Sequence, residues 1–432
     1  MDDNHREDGR VISRHLEPVL REALADRPVV LLRGARQVGK STLARAIAES
    51  ERPPRRYITF DDATVLAAVH ADPEGFVAGL ETPVVLDEIQ RAPGLFLALK
   101  SAVDRDRRPG RFFLTGSADV LLLPRLSESL AGRMEILTLW PLSQGEIRSV
   151  REGFVDTLYS KKLPDLPAAK RMLPDLAERI AQGGYPELVA KRDKGEKQRQ
   201  TAWYGSYLTT ILQRDVRELA QIEGLTVLPR LLALLAARVM GILNYADLAR
   251  SVGLPQTTIK RYLTLLEVTF LVQLLPAWFT NVGKRLVKSP KVLLVDTGLT
   301  LHLAGADAHR LREDRALLGP LLESFVVMEV RKQCAWSRTQ PELYHFRPAH
   351  GREVDLVLET ADGRIAGVEV KAAASVNSAD FAGLRLLAEL SGRRFHRGVV
   401  LYTGDNTVPF APNMHAVPLR ALWQWRAGDF AV

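Results

Sequence analysis

Along the first third of the chain, short continuous apolar runs alternate with stretches of helical spacing. Val29-Val30-Leu31-Leu32, Val84-Val85-Leu86 and Phe112-Phe113-Leu114 are unbroken rather than alternating. Strands buried on both faces read this way, and they belong to parallel sheets covered by helices. Between such runs, Ser41-Thr42-Leu43-Ala44-Arg45-Ala46-Ile47-Ala48 repeats apolar positions at helical intervals. The pattern predicts strands at 28–33, 57–60, 83–87, 111–115 and 135–139, and an α/β unit with a parallel sheet over residues 1–150.

The pattern then changes. Lys161-Lys162-Leu163-Pro164 through Lys170-Arg171 reads as a linker, and Gly183-Gly184-Tyr185-Pro186-Glu187 as a tight turn. The charge run Lys191–Lys197 reads as a solvated helix face. Trp203, Tyr207 and Ile211 lie four residues apart, so 197–220 is expected to be helical, and 151–225 as a whole is assigned as a helical lid or linker. Arg214-Asp215 and Arg217-Glu218 close that segment. Residues 226–295 read as a winged helix-turn-helix. One helix, Tyr245–Arg250, ends at Gly253, and a second starts at Pro255 and carries Thr257, Thr258, Lys260 and Arg261 where a recognition helix meets DNA. An apolar strand (Val272–Pro276) and the basic Lys284–Lys291 segment are expected to form the wing. Such units also serve purely as packing modules. From 296 to 432 the order is helix then strands, a third unit of α/β type.

Chemistry enters at residues 34–41, Gly-Ala-Arg-Gln-Val-Gly-Lys-Ser, set between a predicted strand and a predicted helix. Glycines let backbone N–H groups curl around a phosphate chain, and the helix start adds partial positive charge. Lys40 would reach the β- and γ-phosphates of ATP, and Ser41 would place its hydroxyl on Mg²⁺. A second strand ends in Asp87-Glu88: Asp87 is placed to hold Mg²⁺ through water and Glu88 to polarise the attacking water. A third ends in Thr115-Gly116-Ser117, at a strand tip suited to sensing the γ-phosphate, and Asp61-Asp62 follow a fourth. Arg133 is the candidate arginine for transition-state charge, acting in a neighbouring subunit, against a reading as a helix-end cation. Arg214 is a second such cation, with a local salt bridge as its plainer role.

A second constellation lies near the C-terminus. Leu321–Glu329 is an amphipathic helix, Arg352–Leu358 a strand containing Asp355, and Ala366–Lys371 a strand on which Glu369 and Lys371 share a face. Ala361-Asp362-Gly363-Arg364 is a hairpin turn signal. A hairpin of this kind can bring Asp355, Glu369 and Lys371 together, with Glu323 joining from the helix. Carboxylates converging with a lysine make a set for metal-dependent phosphodiester hydrolysis. The spacing alone is loose, because amphipathic hairpins rich in Glu and Lys are common.

Composition narrows this picture only modestly. The chain has 432 residues, with 59 Lys plus Arg against 51 Asp plus Glu and a formal net charge of +8. That excess is compatible with an anionic partner without requiring one. The single cysteine, Cys334, excludes an intramolecular disulfide framework and a cysteine-rich zinc site, and reads as a small core residue. The polar N-terminus is not a signal peptide, and no apolar stretch reaches about 18 residues, so no membrane partner is expected and a cytoplasmic location is the default.

The chain as a whole resembles a family of bacterial and archaeal AAA-type ATPases that join a P-loop domain, a winged helix and a C-terminal domain of unknown function. The resemblance runs from about residue 12 to 425 and rests on GARQVGKST, VVLDEIQ, FFLTGSA, SLAGR with WPLSQGE, GGYPE, ILQRDV, and GREVDLVLE with VEVKA. The last pair looks like a restriction-endonuclease-like core of the PD-(D/E)xK kind. The resemblance implies ATP binding by Gly34, Ala35, Arg36, Gln37, Val38, Gly39, Lys40, Ser41 and Thr42, Mg²⁺ at Ser41 and Asp87, and hydrolysis by Glu88. It also implies a nuclease-like site at Glu323, Asp355, Glu369 and Lys371, with the three acids as metal ligands. One departure is visible: Val354 stands where that pattern usually has proline. The expected architecture is therefore a P-loop parallel-sheet domain, a helical and winged-helix region, and a nuclease-like α/β domain at 296–432. Expected partners are ATP, DNA or another nucleic acid, and further copies of the chain. Two readings of function stay open: nucleotide state coupled to nucleic-acid processing, or a regulatory ATP switch whose C-terminal unit is an inactive scaffold for a protein partner. A winged-helix transcription regulator is a weaker third.

Overall fold

A computed structural model describes residues 12–118, 132–166, 173–191, 196–216, 225–281, 283, 285, 288–348 and 351–426. The expected strands at the N-terminal end are present: β1 (Val29–Arg33), β2 (Arg56–Thr59), β3 (Val84–Asp87), β4 (Phe112–Gly116) and β5 (Met134–Thr138). They form one parallel sheet in the order β2-β3-β4-β1-β5. β3 and β4 are buried throughout, which explains their unbroken apolar sequence. Helices cover both faces: Lys40–Ser50 buries Leu43, Ala44, Ile47 and Ala48 against one, and Leu95–Arg105 buries Phe96, Leu99 and Val103 against the other. In a parallel sheet every C-terminal strand end lies on one edge, so the loop after β1 and the acids at the end of β3 share an edge.

Among the described residues of 228–294 are the helices Leu228–Ala237, Tyr245–Val252 and Gln256–Val268, and the strands β6 (Val272–Leu275) and β7 (Lys291–Leu294), which pair antiparallel. The chain leaving β6 docks on the C-terminal unit. Ala277 bridges His345, the Trp278 N–H donates to the His345 carbonyl at 2.6 Å, and the His345 N–H donates to the Pro276 carbonyl at 2.8 Å. The docking satisfies backbone groups on an otherwise open sheet edge. Lys291, the last residue of the expected wing segment, is only 2% exposed. Lys284 lies outside the described residues.

The C-terminal unit is a mixed sheet of β8 (Glu342–Phe346), β9 (Val354–Glu359), β10 (Ile365–Lys371), β11 (Phe395–Tyr402), β12 (Val408–Ala411) and β13 (Met414–Pro418). The order is β12-β13-β11-β10-β9-β8, with β10, β11 and β13 parallel to one another. β9 and β10 form the expected hairpin, with Gly363 at φ +84° in its turn. The helix Arg315–Cys334 lies on one face, and Ala382–Ser391 on the other.

Candidate functional site

The phosphate loop takes its shape from two glycines. Gly34 has φ +154°, and a Cβ there would stand 2.1 Å from the Leu139 carbonyl oxygen. Gly39, at φ +95°, leads into the helix that starts at Lys40. The Lys40 ammonium donates to the carbonyls of Gly34 at 3.0 Å and Ala35 at 2.8 Å. Burial lowers its pKa to about 8, against the pull of Glu88 and Asp87, so an anionic phosphate beside it would restore full charge. Arg14 braces the loop from outside: its guanidinium donates to the Val38 carbonyl (2.7 Å), the Trp140 carbonyl (2.7 Å) and Glu146 (3.0 Å).

The two acids stand beside the loop. The Ser41 hydroxyl donates to Asp87 Oδ1 at 3.1 Å, and the Thr115 hydroxyl donates to the same oxygen. Glu88 sits in the left-handed region at φ +60°, uncommon for such a residue and frequent at functional sites. Its carboxylate accepts from the Ser117 hydroxyl at 3.1 Å and from the Gln90 amide, and its N–H donates to Thr115 Oγ1 at 3.3 Å. Thr115 and Ser117 therefore orient both acids, a role the strand-tip reading did not assign them. A hydroxyl and a carboxylate within hydrogen-bond distance fit hydrated Mg²⁺, which keeps most of its waters.

Arg133 does not join this group. It precedes β5, whose first residue pairs with the first residue of β1, so it lies on the sheet edge opposite the loop. A strand of that length separates the two by roughly 16 Å. There it pairs with Asp104 at 2.6 Å, as the plainer reading of a local cation has it. Ser127–Ala131 of the same motif lie outside the described residues. Arg214 pairs with Asp61 at 3.2 Å on the surface. Its neighbour matters more. The helix Glu196–Thr210 passes into a π-turn, Ile211–Asp215, which delivers Asp215 to Arg36 of the loop at 3.3 Å.

From Arg36 a polar chain runs on. The Tyr207 hydroxyl donates to the Arg36 carbonyl (3.4 Å), and the Tyr185 hydroxyl donates to Tyr207 (2.7 Å). The preceding Gly184 N–H donates to Asp296 Oδ2 at 2.7 Å, and the Tyr204 hydroxyl to Asp296 Oδ1 at 2.9 Å. Asp296 stands two residues after the end of β7. The GGYPE turn is thus a buried connector between the phosphate loop and β7.

In the C-terminal unit, the hairpin gathers most of the expected residues. Lys371 Nζ pairs with Glu369 Oε1 at 3.0 Å, and the Val370 N–H donates to Asp355 Oδ2 at 2.9 Å. Glu323 arrives from the helix Arg315–Cys334. Lys291, missed from the sequence, stands between two of the acids, 3.4 Å from Asp355 Oδ1 and 3.8 Å from Glu323 Oε2. Burial and the nearby Asp355 push Glu323 and Glu369 each up to about 8. Among the described residues, no group of three or more His, Cys, Asp or Glu side chains stands ready to hold a metal ion. As arranged, this donor set does not fit a divalent cation, because an ammonium holds two of the carboxylates. Burial pushes the Cys334 thiol up to about 12, away from the thiolate form.

Residues 26–148 match a family described as an AAA domain. With the loop, the strand-end acids and the parallel sheet in one place, this part of the chain is an AAA-type P-loop ATPase domain. The chain belongs to the same family as the uncharacterized proteins Rv2008c of Mycobacterium tuberculosis and Mb2031c of Mycobacterium bovis. Each is 34% identical over 400 residues, covering 92% of this chain and 82% of the relative. Residues 173–310 and 318–422 match two families each described as a domain of unknown function, DUF8612 and DUF4143. Among solved structures, the Walker-type ATPase PABY2304 of Pyrococcus abyssi is similar at 15% identity and TM-score 0.43, covering 70% of this chain and 99% of that one. The RuvB Holliday junction branch migration motor of Thermotoga maritima is similar at 20% identity and TM-score 0.27, covering 62% and 92%. Both scores lie below 0.5, so neither likeness bears on function. Among the described residues, no helix is long and apolar enough to cross a membrane.

Proposed function

We propose that this protein binds and hydrolyses ATP and couples its nucleotide state to the C-terminal α/β unit, which is nuclease-like and processes nucleic acid. The observation that carries the ATPase reading is the 3.1 Å contact between Ser41 and Asp87 beside the Lys40 ammonium. Lys40 would exchange its loop carbonyls for the β- and γ-phosphates. Mg²⁺ bound with ATP supplies charge neutralisation, and Ser41 and Asp87 are the residues that would hold it. Glu88, fixed by Ser117 and Gln90, would accept the proton of the attacking water. Coupling is supported by the Arg36–Asp215 pair and the Tyr207–Tyr185 chain, which join the loop to β7. The three-helix-and-hairpin unit at 228–294 is read as a winged helix acting chiefly as a packing module, because its hairpin is docked. Arg133 would act on ATP held by a neighbouring copy.

A second reading, a regulatory ATP switch with an inactive C-terminal scaffold, is favoured by one observation: Lys291 pairs with Asp355. ATP turnover and nucleic-acid cleavage measured on the wild type, Lys40→Ala, Glu88→Gln and Asp355→Ala test both. Lys40→Ala should weaken nucleotide binding. Glu88→Gln should bind ATP normally and turn it over at least about 100-fold more slowly. Unchanged turnover in Glu88→Gln overturns the assignment of the base. Cleavage lost in Asp355→Ala eliminates the scaffold reading, whereas no nucleic-acid binding in any nucleotide state eliminates the first.

A further inference from the structure

We propose that Lys291 is a built-in counter-cation that fills the place a metal ion would take in the C-terminal acid cluster, so that in this arrangement the cluster is closed to a divalent ion. The inference rests on the nuclease-like reading of that cluster and goes beyond it by naming what keeps the site closed.

Three features carry it. First, Lys291 comes from another unit of the fold, 64 residues before Asp355, yet is almost fully buried and aimed at Asp355 and Glu323. Buried lysines are rare without a carboxylate partner, and this one has two. Second, one acid of the cluster is left partly unsatisfied. Glu369 is 8% exposed, and its Oε2 is buried with no hydrogen-bond partner. Lys371 engages only the other oxygen of Glu369. The cluster thus brings three carboxylates against two ammoniums, and an unpartnered oxygen remains. Third, an ammonium and a divalent cation cannot share the same oxygens. Lysine is a compact point charge, and a cation of this kind beside Asp355 repels any incoming metal.

The placement of Lys291 also fixes it. It is the first residue of β7, and Asp296 follows shortly after the last. Asp296 is tied to Gly184 and Tyr204, beside the tyrosines that reach Arg36. Pairing with β6 and backbone bonds to Met240 and Gly241 hold β7, and with it the ammonium, in place.

The test is Mn²⁺ binding to the nucleotide-free, full-length chain, read from the electron paramagnetic resonance signal of the free ion. Lys291→Met should bind Mn²⁺ at least about ten-fold more tightly than the wild type, because a full charge is removed within contact distance of the site. The gain should vanish in Lys291→Met combined with Asp355→Asn, and Lys291→Arg should behave as the wild type. Equal affinity in Lys291→Met and wild type, with binding still lost in Asp355→Asn, overturns the proposal and leaves the metal-site reading standing. No Asp355-dependent binding in any variant overturns both. A second measurement needs no variant: acetylation of Lys291 in the wild type, followed by mass spectrometry, should rise when Mn²⁺ is added. Unchanged labelling at Mn²⁺ concentrations that fill an Asp355-dependent site also overturns the proposal.

Discussion

Asp296 is the residue on which the connection between the units can be tested most directly. It is 3% exposed and accepts three hydrogen bonds: from the Gly184 N–H at 2.7 Å, the Tyr204 hydroxyl at 2.9 Å and the Leu299 N–H at 2.9 Å. Replacing it with Ala orphans three buried donors, each worth about 1–3 kcal/mol when left unmade. Removing a buried carboxylate returns some of its desolvation cost, so the net penalty should be about 3–5 kcal/mol, as for other broken buried charge networks. Asp296→Asn keeps one acceptor oxygen but turns an N–H₂ toward donors, and should cost about 2 kcal/mol. A chain of several units need not unfold in one step, so a single denaturant midpoint is the wrong readout. Amide hydrogen exchange of peptides covering 180–188 and 296–303 reads the local effect. A loss of 3 kcal/mol corresponds to exchange faster by about two orders of magnitude, at about ten-fold per 1.4 kcal/mol. Protection in Asp296→Ala within about three-fold of the wild type would refute the claim that this carboxylate holds the turn to the helix after β7.

Two further outcomes follow from the geometry. Gly34→Ala should abolish nucleotide binding and lower stability by about 2 kcal/mol or more, since its Cβ would meet the Leu139 carbonyl at 2.1 Å; Gly305→Ala, where a Cβ meets nothing within 4 Å, should cost only about 1 kcal/mol, both read by thermal melting. His345 has its pKa lowered from 6.5 to about 4, first by burial and then by the positive charges of Lys291 and Arg347, against one stabilising contact with the Ser289 carbonyl. The unfolded chain takes up a proton between those values and the folded one does not, so this group's contribution is complete above pH 6.5 and lost as pH falls toward 4, up to about 3 kcal/mol. Urea titrations of wild type and His345→Phe across that range should diverge by this amount, and parallel curves would contradict the assignment.

Much of the ATPase half was legible because its signals are local. The loop, the strand before it and the helix after it occupy consecutive residues, and unbroken apolar runs mark the buried strands. The β9–β10 hairpin was legible for the same reason: turn residues and alternation fix which side chains share a face. The rest depends on contacts at long separation. Asp296 meets Gly184 across 112 residues and Tyr204 across 92, and no spacing rule connects them. Lys291 was read only as the end of the basic Lys284–Lys291 wing segment. Its apolar neighbours Val292-Leu293-Leu294, all buried, were the available signal that it starts an interior strand. The docking of the chain after β6 was not legible because a pattern predicts strands, not which edge they find. The π-turn that presents Asp215 left no mark in the helical periodicity before it.

The same long-range contacts argue against two independent machines on one chain. The WPLSQGE segment that follows β5 forms a capping box at Ser143 and Glu146, and its Gln144 N–H donates to Glu329 of the helix Arg315–Cys334 at 2.8 Å. Lys332, on the same helix, donates to Glu329 at 2.6 Å and to the Leu142 carbonyl at 2.9 Å. The Leu142 N–H in turn donates to the Gly184 carbonyl at 2.7 Å. These groups are buried, so breaking any one leaves an unmet charge or donor, and intermediate positions are disfavoured. Closely packed interiors respond to such strain by switching between discrete arrangements rather than by bending. A nucleotide that rearranges Arg36 and Asp215 thus acts on a structure with few soft degrees of freedom before β7. At the start of β7 that structure meets the acid cluster through the Lys291 ammonium, which bonds Asp355 and pairs with Glu323.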